Sequence, residues 1–453
     1  MTACDRAIDF VKTKGIDECE VVSVKRKVIT VRITDSQIAE TKENLEQSMG
    51  FRIIHQKRIS SSQTYIPENF KNSIEQAIEL LNFTKPKPFW KSLPSKFKQN
   101  TPLEGVFDKK LVEITGSEAT EIAQTMIDSA LNPKIFSITG SLNIISENFL
   151  VSNTNSLRLE ENATYISGII NADSNVGNFP VSGFGQACCR TLQKFTPEKI
   201  GEEARDMCVN SINPQRCEFE TCSVIFEPYS VGEILVFVLS SNFNLKTYAE
   251  KRSCFFEKIG EDISVKDFCL LDDPHVPEGI RSKTFDDEGV PTKITPLVEK
   301  GVFKNVYSDS YNAFKEDGEQ YGNASRPGSP MGRSTEPIPI PSPHNLRIKS
   351  GKVSQDDIIK DTKKGILVGR LWYTYAINPI KGDFSCTARS GVRIIEGGEI
   401  RMPGKSVRIV QNISKMLTNI SAIGNNVRNV LQWASLPSIC PSLKVENIKV
   451  LTI

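Results

Sequence analysis

The chain has 453 residues, of which 39% are hydrophobic and 24% charged, with a net charge of +2. That length predicts two or three cores, and so small a charge gives no electrostatic basis for binding nucleic acid. The longest unbroken apolar run, Ile234 to Leu239, has six residues, far below the ~20 that cross a bilayer.

The opening MTACDRAIDFVKTKG carries acids and spaces its apolar residues three or four apart. It is therefore predicted to be an amphipathic helix over 2–14, stopped at Gly15, not a secretory signal. A cytoplasmic location with reduced, buried thiols is the matching expectation for the 11 scattered cysteines, none in a CxxC pair. The three histidines, His55, His275 and His344, lie too far apart in sequence for a local metal motif.

CEVVSVKRKVITVRI, residues 19–33, alternates as a half-buried strand does, and MGFRIIHQKRISSSQTYI reads as a strand pair. NSIEQAIELLNF puts Ile74, Ile78 and Leu81 on one helical stripe. The Pro- and Lys-rich segment near 84–102 reads as a solvated linker. A further helix opens after Thr115, with Glu118 completing a capping box. Short strands follow from Ile135 to about Asp173, and then a helix with Thr196 as cap and Pro197 in its first position. The main boundary is placed near 215, giving domains 1–215 and 216–453.

VGEILVFVLSSNF, residues 231–243, reads as a helix buried on all sides, in which Val236 and Phe237 fill core space. Acids cluster at Asp272-Asp273 and Asp286-Asp287-Glu288, directly before Pro274 and Gly289, where Asp is a turn former. Acid–base work or a hard cation is the alternative there. Residues 321–345 hold six prolines, four of them alternating at 337, 339, 341 and 343. An ordered crossing strand or a loop along a groove is expected, with Tyr321, Asn323, Arg326, His344 and Asn345 as candidate contacts to a peptide or partner. The run 365–404 reads as strands joined at Gly and Asn-Pro turns. Within it Cys386 and Ser385 are candidate nucleophiles, but no histidine lies close in sequence to activate either, so a buried structural thiol is preferred.

Several stretches, in order, resemble the TldD/PmbA family, once named modulators of DNA gyrase and regarded as a two-subunit zinc peptidase system. They are GIDECEVVSV, GFRIIHQKR, KRSCFFEKIGEDISVKDFCLLDDPHVPEGIRSKTFDDEG, YGNASRP, NLRIKSG and NPIKGDFSCTARSGVRIIEGGEI. In TldD-type chains, this resemblance implies, HExxxH on a buried helix supplies two imidazoles and a general base to zinc. Counting back from Gly260, those positions fall on Val236, Phe237 and Ser241, which offer no such ligand set. The chain thus looks like the TldE/PmbA type, with zinc expected only in a TldD-type partner and no metal or catalytic residue of its own. The implied fold is α+β: a mixed N-terminal part with flanking helices, then a strongly curved antiparallel sheet or barrel around the helix at 228–242. The implied function is that of a non-catalytic subunit, heterodimeric with a TldD-type chain and acting on unfolded peptides. A stand-alone homodimeric peptide-binding protein, or a hydrolase with a non-zinc centre, are the alternatives.

Overall fold

The computed structural model describes residues 2–97, 103–319, 321–432 and 436–453. Six antiparallel strands form the first sheet: β1 (Glu18–Thr34), β2 (Gln37–His55), β3 (Arg58–Thr64), β4 (Ser137–Asn153), β5 (Arg158–Ser174) and β6 (Val181–Cys189), in the order β3-β2-β1-β4-β5-β6. The β1–β2 and β2–β3 turns place Asp35-Ser36 and Gln56-Lys57 at positive φ, the paired left-handed geometry that matches strand twist. The first half of β2 is exposed on both faces. It has no apolar alternation, so that half of the strand is not legible in the sequence.

Among the described residues, five α-helices accompany this sheet: α1 (Ala3–Lys12), α2 (Phe70–Leu80), the short α3 (Lys109–Glu113), α4 (Gly116–Ala130) and α5 (Pro197–Val209). Capping boxes hold the starts of α1, through Thr2 and Asp5, and of α4, through Thr115 and Glu118. The cap expected at Thr196 is not made: its side chain takes no N–H of α5, and Pro197 alone starts that helix. α1 and α2 pack on Val21, Phe51 and Ile53, and α4 and α5 on Ile29, Val31, Ile138 and Ile166. Odd-numbered β1 residues thus face the helices, while Glu20, Val22, Val24, Arg26 and Val28 face the second half of the chain.

The segment 84–97 is docked, contrary to the solvated linker expected from its composition. Trp90 and Leu93 are buried, and Glu18 accepts from Trp90 Nε1 and from the Leu93 N–H, both at 2.8 Å. Two apolar anchors and a bidentate carboxylate outweigh the prolines and lysines around them. Residues 98–102 of that expected linker lie outside the described residues.

In the second half, β7 (Thr221–Phe226), β14 (Lys364–Asn378), β15 (Asp383–Glu396), β17 (Val407–Asn412) and β21 (Leu443–Thr452) close a five-stranded barrel. All its pairings are antiparallel except β14 with β7, which is parallel. Off it hang β16 (Glu399–Pro403) and β18 (Ile420–Ile423). A second sheet has the order β10-β9-β8-β13-β20-β19, from β8 (Leu270–Asp272), β9 (Thr295–Glu299), β10 (Val302–Phe303), β13 (Leu346–Ile348), β19 (Arg428–Leu431) and β20 (Pro437–Cys440). β11 (Ala324–Ser325) and β12 (Ile340–Pro341) pair with each other.

Between β11 and β12 the proline segment runs across the helix-free face of the first sheet. Arg26 donates to the carbonyls of Ser329 and Met331, at 3.1 and 2.7 Å, and Gln63 donates to Thr335 Oγ1 at 2.7 Å. A Cβ on Gly50 would sit 2.1 Å from the Thr335 carbonyl oxygen, so only glycine lets the segment lie this close. The expected crossing strand is thus a strap across the sheet. Pro337 and Pro339 are buried in it, while Ile338 and Ile340 point outward.

Candidate functional site

The helix α6 (Pro228–Ile234) starts where Ser230 Oγ and the Glu227 N–H both donate to the Val368 carbonyl of β14. It does not continue as an α-helix. Leu235–Leu239 are π-wound, with Ser240 N–H donating to Leu235 O, and Ser240–Phe243 tighten into a 3-10 turn.

The stretch is less enclosed than its sequence suggests. Val236 is 8% exposed, Phe237 is half-buried and packs on the core from its rim, and Ser241 is exposed. The apolar pattern could not distinguish a central helix from one with an open flank, because a phenylalanine satisfies both. Phe237→Ala is accordingly expected to cost about 1–2 kcal/mol in chemical denaturation, below the ~3–5 kcal/mol of a fully buried ring; a loss near the upper figure would show that the flank is closed.

None of the three positions offers an imidazole, thiolate or carboxylate, so they do not fit zinc. Among the described residues, no three His, Cys, Asp or Glu side chains stand together as a metal site.

One turn earlier lies a group that the sequence reading passed over. Glu233 is buried, and its Oε2 has no hydrogen-bond partner. Burial, opposed by Arg370 and the Leu371 N–H, pushes its carboxyl up to about 8. Arg370 is also buried, its guanidinium 4.1 Å from the Phe184 ring centroid and 4.3 Å from that of Trp372. It donates to Asn171 Oδ1 at 2.8 Å. A lone acid inside an apolar helix was the available signal.

Between α5 and the barrel is a cleft of about 810 Å³ lined by Phe184, Gln186, Glu227, Tyr229, Arg393 and Arg428, among others. Gln186 is buried there with its Oε1 unpartnered. Cys386 faces away from any such space: it is fully buried, and burial raises its thiol far above the ordinary range. Ser385 is buried beside it. A neutral, enclosed thiol is a poor nucleophile.

Of the five contact candidates in or beside the strap, only Tyr321 is half-buried; Asn323, Arg326, His344 and Asn345 are turned inward. Asp272 accepts from the His344 N–H at 2.7 Å and lies 3.0 Å from His344 Nδ1, and Asn323 Nδ2 donates to the same carboxylate. Burial lowers the His344 pKa despite Asp272, giving a neutral ring at pH 7. Asn345 Nδ2 donates to Asp273 O and Ser282 Oγ. Contact with a peptide through these four would require the strap to open.

The acid clusters make turns but are also buried. Asp286 Oδ1 accepts from the N–H groups of Glu288 and Val290, at 3.0 and 2.9 Å. Arg52 joins Glu20 and Glu288, at 2.8 and 2.7 Å, and Arg326 closes on the other oxygen of Glu20. Asp287 meets Lys283 at 2.8 Å and Arg333 at 3.5 Å, and Arg333 also pairs with Glu161. Burial alone would raise Asp287, but Lys283 and Arg333 hold it well below the usual carboxylate range. Three of these pairs, Arg52–Glu288, Arg326–Glu20 and Arg333–Glu161, bind the two halves of the chain together. No sequence pattern reveals these three, because their partners are 172 to 306 residues apart.

An open sheet crossed by a strap and joined to a closed barrel that packs on a π-wound helix defines a two-part α+β class of protein. The family described as "PmbA/TldA metallopeptidase C-terminal domain" matches residues 220–452, and the chain belongs to that family. An uncharacterized protein of Methanocaldococcus jannaschii is 27% identical over 369 residues, covering 81% of this chain and 82% of that protein. Metalloprotease PmbA of Escherichia coli O157:H7 is 22% identical, covering 98% and 95%. In fold the chain is similar to TldE from Thermococcus kodakarensis, with a TM-score of 0.89, 24% identity and coverage of 99% and 100%. It is also similar to a protein of Thermotoga maritima described as a modulator of DNA gyrase, with a TM-score of 0.87, 22% identity and 99% of each chain covered.

Proposed function

We propose that this chain is the non-catalytic subunit of a TldD/TldE-type zinc metallopeptidase that processes unfolded peptides in the cytoplasm. The observation that carries the reading is the helix over 228–243. It packs against the barrel with a half-open flank, yet Val236, Phe237 and Ser241, the positions that the family resemblance assigns to the metal motif, give zinc no ligand. A chain that retains the architecture without the donors can still supply surface to a partner that has them. The relatives named as metalloproteases and the fold shared with a TldE support the assignment. The 810 Å³ cleft, with acids and bases on its walls, has the size and polarity to admit a peptide segment.

The partner would carry HExxxH and dock through an interface well over ~1,000 Å². The outward Ile338 and Ile340 of the strap, with Tyr321, are available for that contact. Peptidase activity is expected only when the two chains are mixed, and is expected to disappear with chelator. Measuring each chain alone and both together decides the matter: a fully active HExxxH chain without this one, or cleavage by this chain alone in chelator, would overturn the assignment.

A further inference from the structure

The chain covers one outer wall of its barrel and leaves another bare. On the covered wall, the helix Gln355–Lys360 lays Ile358 on Ile225, Leu367 and Ile395. The bare wall is the outward side of the second half of β14 and of β15, β17 and β21. Phe384, Cys386, Ile409 and Val450 point from these strands into the barrel core, so the residues alternating with them point out. Tyr375, Ile377, Val410, Leu451 and Ile453 are among those, with Ile380 in the β14–β15 turn, and all six are between 48% and 61% exposed. The register makes them one patch. Tyr375, Ser385 and Val410 form a row across three strands, and Arg408 pairs with Leu451 in the next row.

Single apolar side chains on a surface are ordinary, whereas a contiguous patch of this extent marks a contact. At roughly 150–250 Å² for a large side chain, six of them half exposed offer on the order of 600 Å². That suffices for the apolar centre of an interface of ~800 Å² a side. The charges on the wall have a direction. On one side of the Tyr375–Ser385–Val410 row the next outward row holds Thr387 and Arg408; on the other it holds Asp383 and Asn412. Arg408 reaches only Tyr375 OH, at 3.5 Å, and has no carboxylate within 4 Å among the described residues. Asp383 accepts from Asn412 Nδ2 at 2.9 Å and has no cation within 4 Å among the described residues. Arg389 lies farther out, against the Trp372 ring. Lys449 is exposed at the rim, where its long stem keeps the ammonium in water.

We propose that two copies of this chain pair through this wall, face to face, about a two-fold axis lying across the strands along the Tyr375–Ser385–Val410 row. Such an axis exchanges the flanking rows. Arg408 of each copy then comes over Asp383 and Asn412 of the other, so an unpaired base meets an unpaired acid twice. Tyr375 and Val410 meet their counterparts in the dry centre between the two ion pairs. Sheets stacked with their strands within about 30° of each other allow this contact. An unrelated partner would have to supply a base and an acid in the opposite order, while a second copy does so by symmetry. None of these residues belongs to the strap, so pairing here is a separate contact from the one made with an HExxxH chain.

Light scattering on the purified full chain is expected to give twice the mass of one chain at about 50 µM, with a dissociation constant in the micromolar range. A monomer at that concentration overturns the proposal, including one that uses this wall only for an HExxxH chain. Val410→Lys is expected to weaken pairing roughly tenfold or more and to leave the melting of the diluted, unpaired chain unchanged. Arg408→Asp and Asp383→Arg each set like charges together and are each expected to be monomeric. Mixed in equal amounts, the two variants restore both ion pairs and are expected to restore the dimer. A dimer that Val410→Lys leaves intact overturns the proposal, as does a mixture that stays monomeric although both variants fold. Should either charge variant fail to fold, Val410→Lys decides.

Discussion

Arg52→Ala is expected to destabilise the fold by about 3–5 kcal/mol, because it leaves buried carboxylates without their counter-charge. Arg52 stands between Glu20 and Glu288, all three essentially inaccessible to water. Arg326 remains on Glu20 and the Ser310 N–H on Glu288, so the carboxylates lose a full charge but not every hydrogen bond. The pH dependence identifies the cause. Burial would raise Glu288, yet Arg52 holds it below its ordinary value. A carboxylate with a lowered folded pKa stabilises above its unfolded value, and that contribution is lost as the pH falls through the folded value. The variant lacks the contribution, so the gap between parent and variant is largest near neutrality and narrows in acid. Urea unfolding of both proteins from pH 7 down to about 3 measures this; a gap that does not change with pH would assign the loss to the packing of the Arg52 guanidinium over the Trp90 ring, 5.4 Å from its centroid.

Glu233→Gln is expected to stabilise the protein, on the order of 3 kcal/mol at pH 8. In the folded chain the Glu233 carboxyl is pushed up to about 8 from an ordinary 4.5. Between those values the folded state binds the proton that the unfolded chain releases, so stability falls as the pH rises across that window. Glutamine is neutral throughout, fits the same space and removes the slope. The two proteins should be nearly equal at pH 4 and diverge toward pH 8. A variant less stable than the parent at pH 8 would mean that the ionised carboxylate is held by Arg370 more strongly than burial opposes it.

The two carboxylates show how far the chain could be read in one dimension. The caps at Thr115 and Glu118, the helices and the alternation in β1 depend on neighbours a few residues away, and composition and spacing expose them. The α+β architecture was legible through that local pattern together with motif order. Glu20 and Arg26 were not legible as buried. On β1 Glu20 sits next to Val21 and Arg26 between Lys25 and Lys27, as solvent-facing charges would, and only the strap, some three hundred residues later, turns that face inward. For the same reason Asn323, Arg326, His344 and Asn345 looked like surface contacts: a polar, proline-rich stretch gives no sign of the acids that receive it. The π winding at Leu235–Leu239 is likewise invisible, since Val, Phe and Leu fill a π turn as readily as an α turn.

The strap also governs how the chain must mature on the ribosome. The first sheet is complete once Cys189 has been made, but Arg326, Met331 and Arg333, which cover one of its faces, follow roughly 140 residues later. At roughly 5–20 residues per second that leaves Val22, Val24, Val28, Phe149 and Tyr165 uncovered for on the order of ten seconds, with Glu20 and Glu147 still hydrated. The nascent N-terminal half is then a natural client for a holding chaperone. A fragment ending near 215 lacks its cover permanently, so it should aggregate or require detergent-like protection even though each of its own helices and strands is well specified.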